Sequence, residues 1–110
     1  MDQRKYDRVR VEYSAAFSGH SYRAPGTILN LSIVGCRAHT PFVVRKDECL
    51  GVLIDVPKYE HPIYVARAEV RWSDGREFGM EFIHIELEDR QRLGETIRAI
   101  EAAPNETGQD

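Results

Sequence analysis

The stretch TILNLSIVGCRA, residues 27–38, decides how the rest of the chain is read. Its first part is strand-like, with Ile28 and Leu31 on either side of the polar Asn30. Asn30, Ser32 and Gly35 interrupt the run, and strand character resumes at Cys36. Asn and Ser bond to nearby backbone and favour a turn, while Gly permits positive φ or the close approach of another group. A strand that breaks at Asn-x-Ser-x-x-Gly and resumes offers an amide, a hydroxyl and exposed backbone together, a small polar pocket at a strand end. Taken alone, the same residues also describe an ordinary turn between two strands.

The flanking segments read as further strands. Residues 9–18 alternate, with Val9, Val11, Tyr13, Ala15 and Phe17 on one face and Arg10, Glu12, Ser14, Ala16 and Ser18 on the other. Period two over this length is a half-buried strand. Ser18-Gly19-His20 signals a tight turn, and residues 21–29 return as a second strand, so the two form a hairpin. Pro25 within it calls for an edge or a bulge, because proline donates nothing to a ladder. Residues 36–40 make a short third strand, closed by Pro41, before the charged loop Arg45-Lys46-Asp47-Glu48. Residues 49–56 are nearly all apolar, so this strand is expected to be covered on both faces. In residues 63–72 the alternation from Tyr64 places Ala66, Ala68, Val70 and Trp72 inward and Arg67, Glu69 and Arg71 outward. Ser73-Asp74-Gly75 is a hairpin turn, and Phe78, Met80 and Phe82 line a last strand.

From about Glu86 the period becomes helical. Leu93, Ile97 and Ile100 share a face, and Glu86, Glu88 and Asp89 sit where the helix dipole favours acids. Gly94 weakens the middle, since Gly costs ~1 kcal/mol against Ala. About six short antiparallel strands and one C-terminal helix describe an all-β chain with small α content, a closed or nearly closed barrel.

With 110 residues the chain is one domain. Its 42% hydrophobic and 30% charged residues are ordinary for a globular protein, and a net charge of −3 argues against a general nucleic-acid binder. The start is locally basic, with Arg4, Lys5, Arg8 and Arg10 against Asp2 and Asp7. No apolar run is long enough to span a membrane and no signal peptide is recognisable, so a cytoplasmic location is expected. Cys36 and Cys49 lie in strand-like apolar segments and are expected to be core or near-core thiols.

No catalytic constellation is visible. His20, His39, His61 and His84 are scattered without metal-ligand spacing, and Ser32 lacks the setting of a nucleophile elbow. Asp55 has no acid-base partner in the sequence around it. The chain therefore reads as a non-enzyme that holds no metal.

Arg4-Lys5-Tyr6-Asp7-Arg8 places two arginines four residues apart, ahead of the first strand. The order Arg4-x-x-x-Arg8, then Asn30-x-Ser32-x-x-Gly35, resembles the PilZ domain, a bacterial receptor for cyclic di-GMP. The resemblance runs from about Gln3 to Glu101 and includes Val70-Arg71-Trp72 through Gly79 to Phe82. It implies a six-stranded antiparallel β-barrel with a C-terminal α-helix, which here would span residues 9–102; residues 1–8, rich in like charges, read as a flexible arm, and the polar residues 103–110 as a disordered tail. It also implies cyclic di-GMP as ligand, with no cofactor. Arg4 and Arg8 would supply planar forks matched to phosphate or to guanine O6 and N7. Asn30 and Ser32 would line the opposite side of one guanine, with Gly35 allowing close backbone approach. Trp72 suits an aromatic face for a base, and equally a large core or rim residue. Arg10 and Arg37 would add positive potential wherever the fold puts them. Gln3 stands where relatives that bind a stacked ligand dimer carry a further Arg, which leaves the number of bound ligands open.

The expected function is a receptor whose arm closes over cyclic di-GMP and signals to an effector protein in motility, adhesion or exopolysaccharide control. Two alternatives share the sequence: an adaptor of the same fold that binds no nucleotide, and a small barrel that binds single-stranded nucleic acid. The arginine pair counts against the first. The net charge counts against the second.

Overall fold

Residues 8–103 are described by the computed structural model. Alternation drives the first strand, β1 (Val9–Ser18): Val9, Ala15 and Phe17 are buried, while Arg10, Glu12, Ser14 and Ser18 face solvent. Then follow β2 (Arg23–Leu31), β3 (Gly35–His39), β4 (Cys49–Ile54), β5 (Ile63–Ser73), β6 (Glu77–His84) and α1 (Leu87–Ala102). Every pairing is antiparallel, and the order β1-β2-β3-β6-β5-β4 closes on itself as a barrel. Closure leaves no edge strand to template aggregation. The interior is filled by Ile28, Leu31, Leu50, Val52, Ile54, Ile63, Val65, Val70 and Phe78, with Phe17 and Phe78 in edge-to-face contact at 5.3 Å.

The barrel differs from the alternation expected of the sequence in four places. First, β2 runs on to Leu31, so Asn30 lies inside a strand, paired with Arg10 on one side and Arg37 on the other. Second, β5 is bulged twice against β6, at Arg67/Ala68 and at Val70/Trp72. Each extra residue shifts the facing pattern. Ile63 and Val65 point inward, then Ala68 and Val70, while Tyr64 and Trp72 face out. Third, β4 is not covered on both faces: Leu50, Val52 and Ile54 are buried, Gly51 and Leu53 only partly, and Cys49 is exposed. Cys49 is thus no core thiol, whereas Cys36 is fully buried. Fourth, Pro25 sits in an interior strand. It is tolerated because the β2–β3 ladder begins only at Thr27, and the Thr40 hydroxyl donates to the Pro25 carbonyl at 2.8 Å.

Helix α1 packs against β5 and β1 through Leu93, Thr96 and Ile97, with Ile100 half-buried. Its first turn is pinned by side chains. The Tyr64 N–H donates to Asp89 at 3.0 Å, and Arg92 donates to the carbonyls of His61 and Pro62 and to Asp89. A helix without a side-chain N-cap at Glu86 is so fixed to the β4–β5 connection.

Candidate ligand-binding site

The bulge at Val70/Trp72 builds one wall of the site. Without it Trp72 would follow Ala68 and Val70 into the core; with it Arg71 and Trp72 stand side by side on the outer surface. Trp72 is 43% exposed. Its indole lies across Gly79 of β6, where a methyl group would collide with the ring. The pyrrole part of the indole is therefore close against the β6 backbone, while the side chain as a whole stays open to solvent.

A row of paired residues crosses the barrel surface from here. Trp72 pairs with Gly79, Gly79 with Arg37, Arg37 with Asn30, and Asn30 with Arg10. At about 4.8 Å per strand, Asn30 and Trp72 stand about 14 Å apart. An open cavity of about 480 Å³ follows this row, lined by Arg8, Asn30, Arg37, Arg71, Trp72 and Glu81 over an apolar floor that includes Cys36 and Met80. Three of these side chains are arginines, so the cavity suits an anion. Burial pushes the Cys36 thiol up to about 12, with the Arg8 charge pulling weakly the other way. That thiol stays protonated and inert.

The polar groups are already ordered. The Asn30 amide oxygen accepts from the Arg37 N–H at 3.0 Å and from Arg8 Nη1 at 3.2 Å. Both are obligate donors, which fixes the amide with its oxygen toward them. The Arg71 Nε donates to Glu81 at 2.7 Å, and Arg71 Nη1 is 2.9 Å from Glu69. The hydrogen bond to Glu81 raises the Arg71 pKa further. Arg37 is held by Glu77. An exposed single pair such as Arg37–Glu77 contributes about 0–1 kcal/mol, so a phosphate competes for that guanidinium at little cost, whereas Arg71 is held by two carboxylates.

Of the residues singled out in the sequence, Arg8, Asn30 and Trp72 meet in this cavity. Ser32 does not line it. The residue is 1% exposed, and its hydroxyl accepts from the N–H groups of Val34 and Gly35 at 3.1 and 3.2 Å. Ser32 thus ties the β2–β3 turn, together with its own N–H donating to Gly35 O at 2.9 Å. Gly35 is buried in the same turn, where a side chain would strike the Met80 carbonyl. Arg4 lies outside the described residues. Arg37, Arg71 and Glu81 are the other charged residues of the lining, and no motif assigned a role to Arg71 or Glu81. Among the described residues no three His, Cys, Asp or Glu side chains gather as a metal site.

The family model for the PilZ domain matches residues 2–99. The chain belongs to the PilZ family. Its PilZ barrel is similar to the inhibitor of motility MotI/DgrA of Bacillus subtilis, with a TM-score of 0.73 at 20% identity over 94% of this chain and 55% of that one. It is similar as well to the PilZ domain with c-di-GMP of YcgR from Escherichia coli, with a TM-score of 0.75 at 10% identity, covering 91% and 92% of the two chains. A longer YcgR chain, solved in complex with c-di-GMP, gives 0.75 at 13% identity over 91% of this chain and 46% of that one. This PilZ chain thus spans about half the length of two of these neighbours. No curated protein matches it by sequence.

Proposed function

We propose that this PilZ domain is a receptor for cyclic di-GMP and performs no chemistry on it. The observation that supports the reading most directly is the joining of Arg8, Asn30 and Trp72, far apart in sequence, in one arginine-lined cavity. Two phosphates need cations, and two guanines need a stacking face and a polar edge. The cavity offers all of these. YcgR, whose PilZ domain shares the fold, is solved with c-di-GMP.

Arg8 lines the cavity and donates to Asn30. In this reading Arg4 completes the pair with Arg8, the segment that carries them closes over the ligand, and its new position is what an effector protein recognises. The likeness to an inhibitor of motility favours motility control as the setting. Among the described residues no helix is long and apolar enough to cross a membrane. Calorimetric titration with cyclic di-GMP tests the reading. Saturable heat at low micromolar ligand or tighter is expected, and its absence would leave the nucleotide-free adaptor.

A further inference from the structure

We propose that Glu81 is the residue by which the site distinguishes guanine from adenine, and that Arg71 is its positioning residue. The inference rests on the cyclic di-GMP reading and deepens it.

Guanine presents adjacent N1–H and N2–H donors beside its O6 acceptor, whereas adenine presents one amino donor beside the N1 acceptor. A guanine reader must therefore supply an acceptor. Asn30 is the residue that the sequence motif offers, but its amide oxygen already receives two N–H groups, one for each lone pair. Its Nδ2 group can only donate. The Ser32 hydroxyl is buried in the turn and receives two N–H groups of its own.

Glu81 is the one carboxylate that lines the described cavity. Its Oε1 takes both contacts from Arg71, and its Oε2 has no hydrogen-bond partner among the described residues. Arg71 is itself held through Nη1 by Glu69, so the carboxylate is fixed from behind. It is also in register. Glu81 lies two residues beyond Gly79 on the same face of β6, about 7 Å along the strand from the point where Trp72 rests. On this proposal a purine stacked on the indole turns its edge along β6 toward Glu81 Oε2. The Arg71 cation offsets the repulsion between that carboxylate and the ligand's phosphates.

The test compares the wild-type chain with Glu81→Gln and Glu81→Asp. Cyclic di-GMP and cyclic di-AMP are titrated separately and in competition, and thermal unfolding is recorded for each protein. Glutamine keeps a carbonyl for Arg71 but can put an amino group where Oε2 stood. Its preference for cyclic di-GMP should fall by about 10-fold or more, with cyclic di-AMP binding unchanged or improved. Aspartate should restore part of the preference, and the unfolding midpoints should agree, because Glu81 is exposed. Unchanged preference in Glu81→Gln, with wild type binding cyclic di-GMP, would overturn this inference and leave the receptor reading intact. An equal loss for both dinucleotides would overturn it too, reducing Glu81 to a prop for Arg71. A wild type that binds neither would overturn both.

Discussion

At position 79 a hydrogen in place of a methyl group decides where the chain's single tryptophan lies. Gly79→Ala would force the indole of Trp72 off the β6 backbone. The ring is the far part of an exposed side chain, so it can swing away without unfolding the barrel. Tryptophan emission should shift, and cyclic di-GMP affinity should fall by about 10-fold, near the loss of one stacked base. Normal affinity with a displaced ring would remove Trp72 from the site. Arg8→Ala should cost about 10-fold or more in affinity with the unfolding midpoint little changed, since Arg8 lies outside the core and a bidentate contact is worth roughly 1–3 kcal/mol. Calorimetry and thermal unfolding of that variant settle it. The two thiols should also separate: a thiol reagent should titrate exposed Cys49 in the native protein and Cys36 only after unfolding. The sequence placed both cysteines in apolar runs, and nothing there distinguishes the strand end at Cys49 from the middle of a covered sheet.

The elements were legible wherever alternation held. All six strands and the helix fall where periodicity put them, and Leu93, Ile97 and Ile100 face the barrel. Bulges are where the reading failed, because one inserted residue reverses every side chain beyond it and leaves no local signature in composition. The bulge at Val70/Trp72 did this to Trp72, turning it outward beside Arg71, which faces out as the alternation had it. The β2–β3 turn shows the converse. Asn-x-Ser-x-x-Gly was readable as both a turn and a pocket, and the structure divides the work. Asn30 faces the cavity, while Ser32 and Gly35 hold the turn. Ser32→Ala should therefore cost stability, about 1–3 kcal/mol, chiefly for stranding the buried N–H of Gly35. Urea unfolding measures it. Stability equal to wild type, with binding lost, would instead make Ser32 a ligand contact.

Closure makes the whole barrel the carrier of the site, since the row from Arg10 to Trp72 depends on five strands keeping register. Burial at the floor couples the barrel to alkaline pH. The Cys36 thiol is pushed up to about 12, so the folded chain keeps a proton that an unfolded thiol, near 9, gives up. That contribution is intact below about pH 9 and is lost as pH rises toward 12. Cys36→Ala should show a shallower alkaline loss of urea resistance than wild type. The last expectation concerns residues 1–7, which carry Arg4 and lead into the Arg8–Asn30 contact. Among the described residues the buried core begins at Val9, and a chain starting at Arg8 should unfold at nearly the wild-type temperature. It should nonetheless bind cyclic di-GMP at least about 10-fold more weakly, since one guanidinium fork is gone. Salt sharpens the comparison. Arginine–phosphate contacts weaken as ionic strength rises, so the affinity of the full chain should fall more steeply with salt than that of the shortened one. Parallel salt dependences with equal affinity would mean that Arg4 never touches the ligand, and the segment would then owe its role, if any, to the effector.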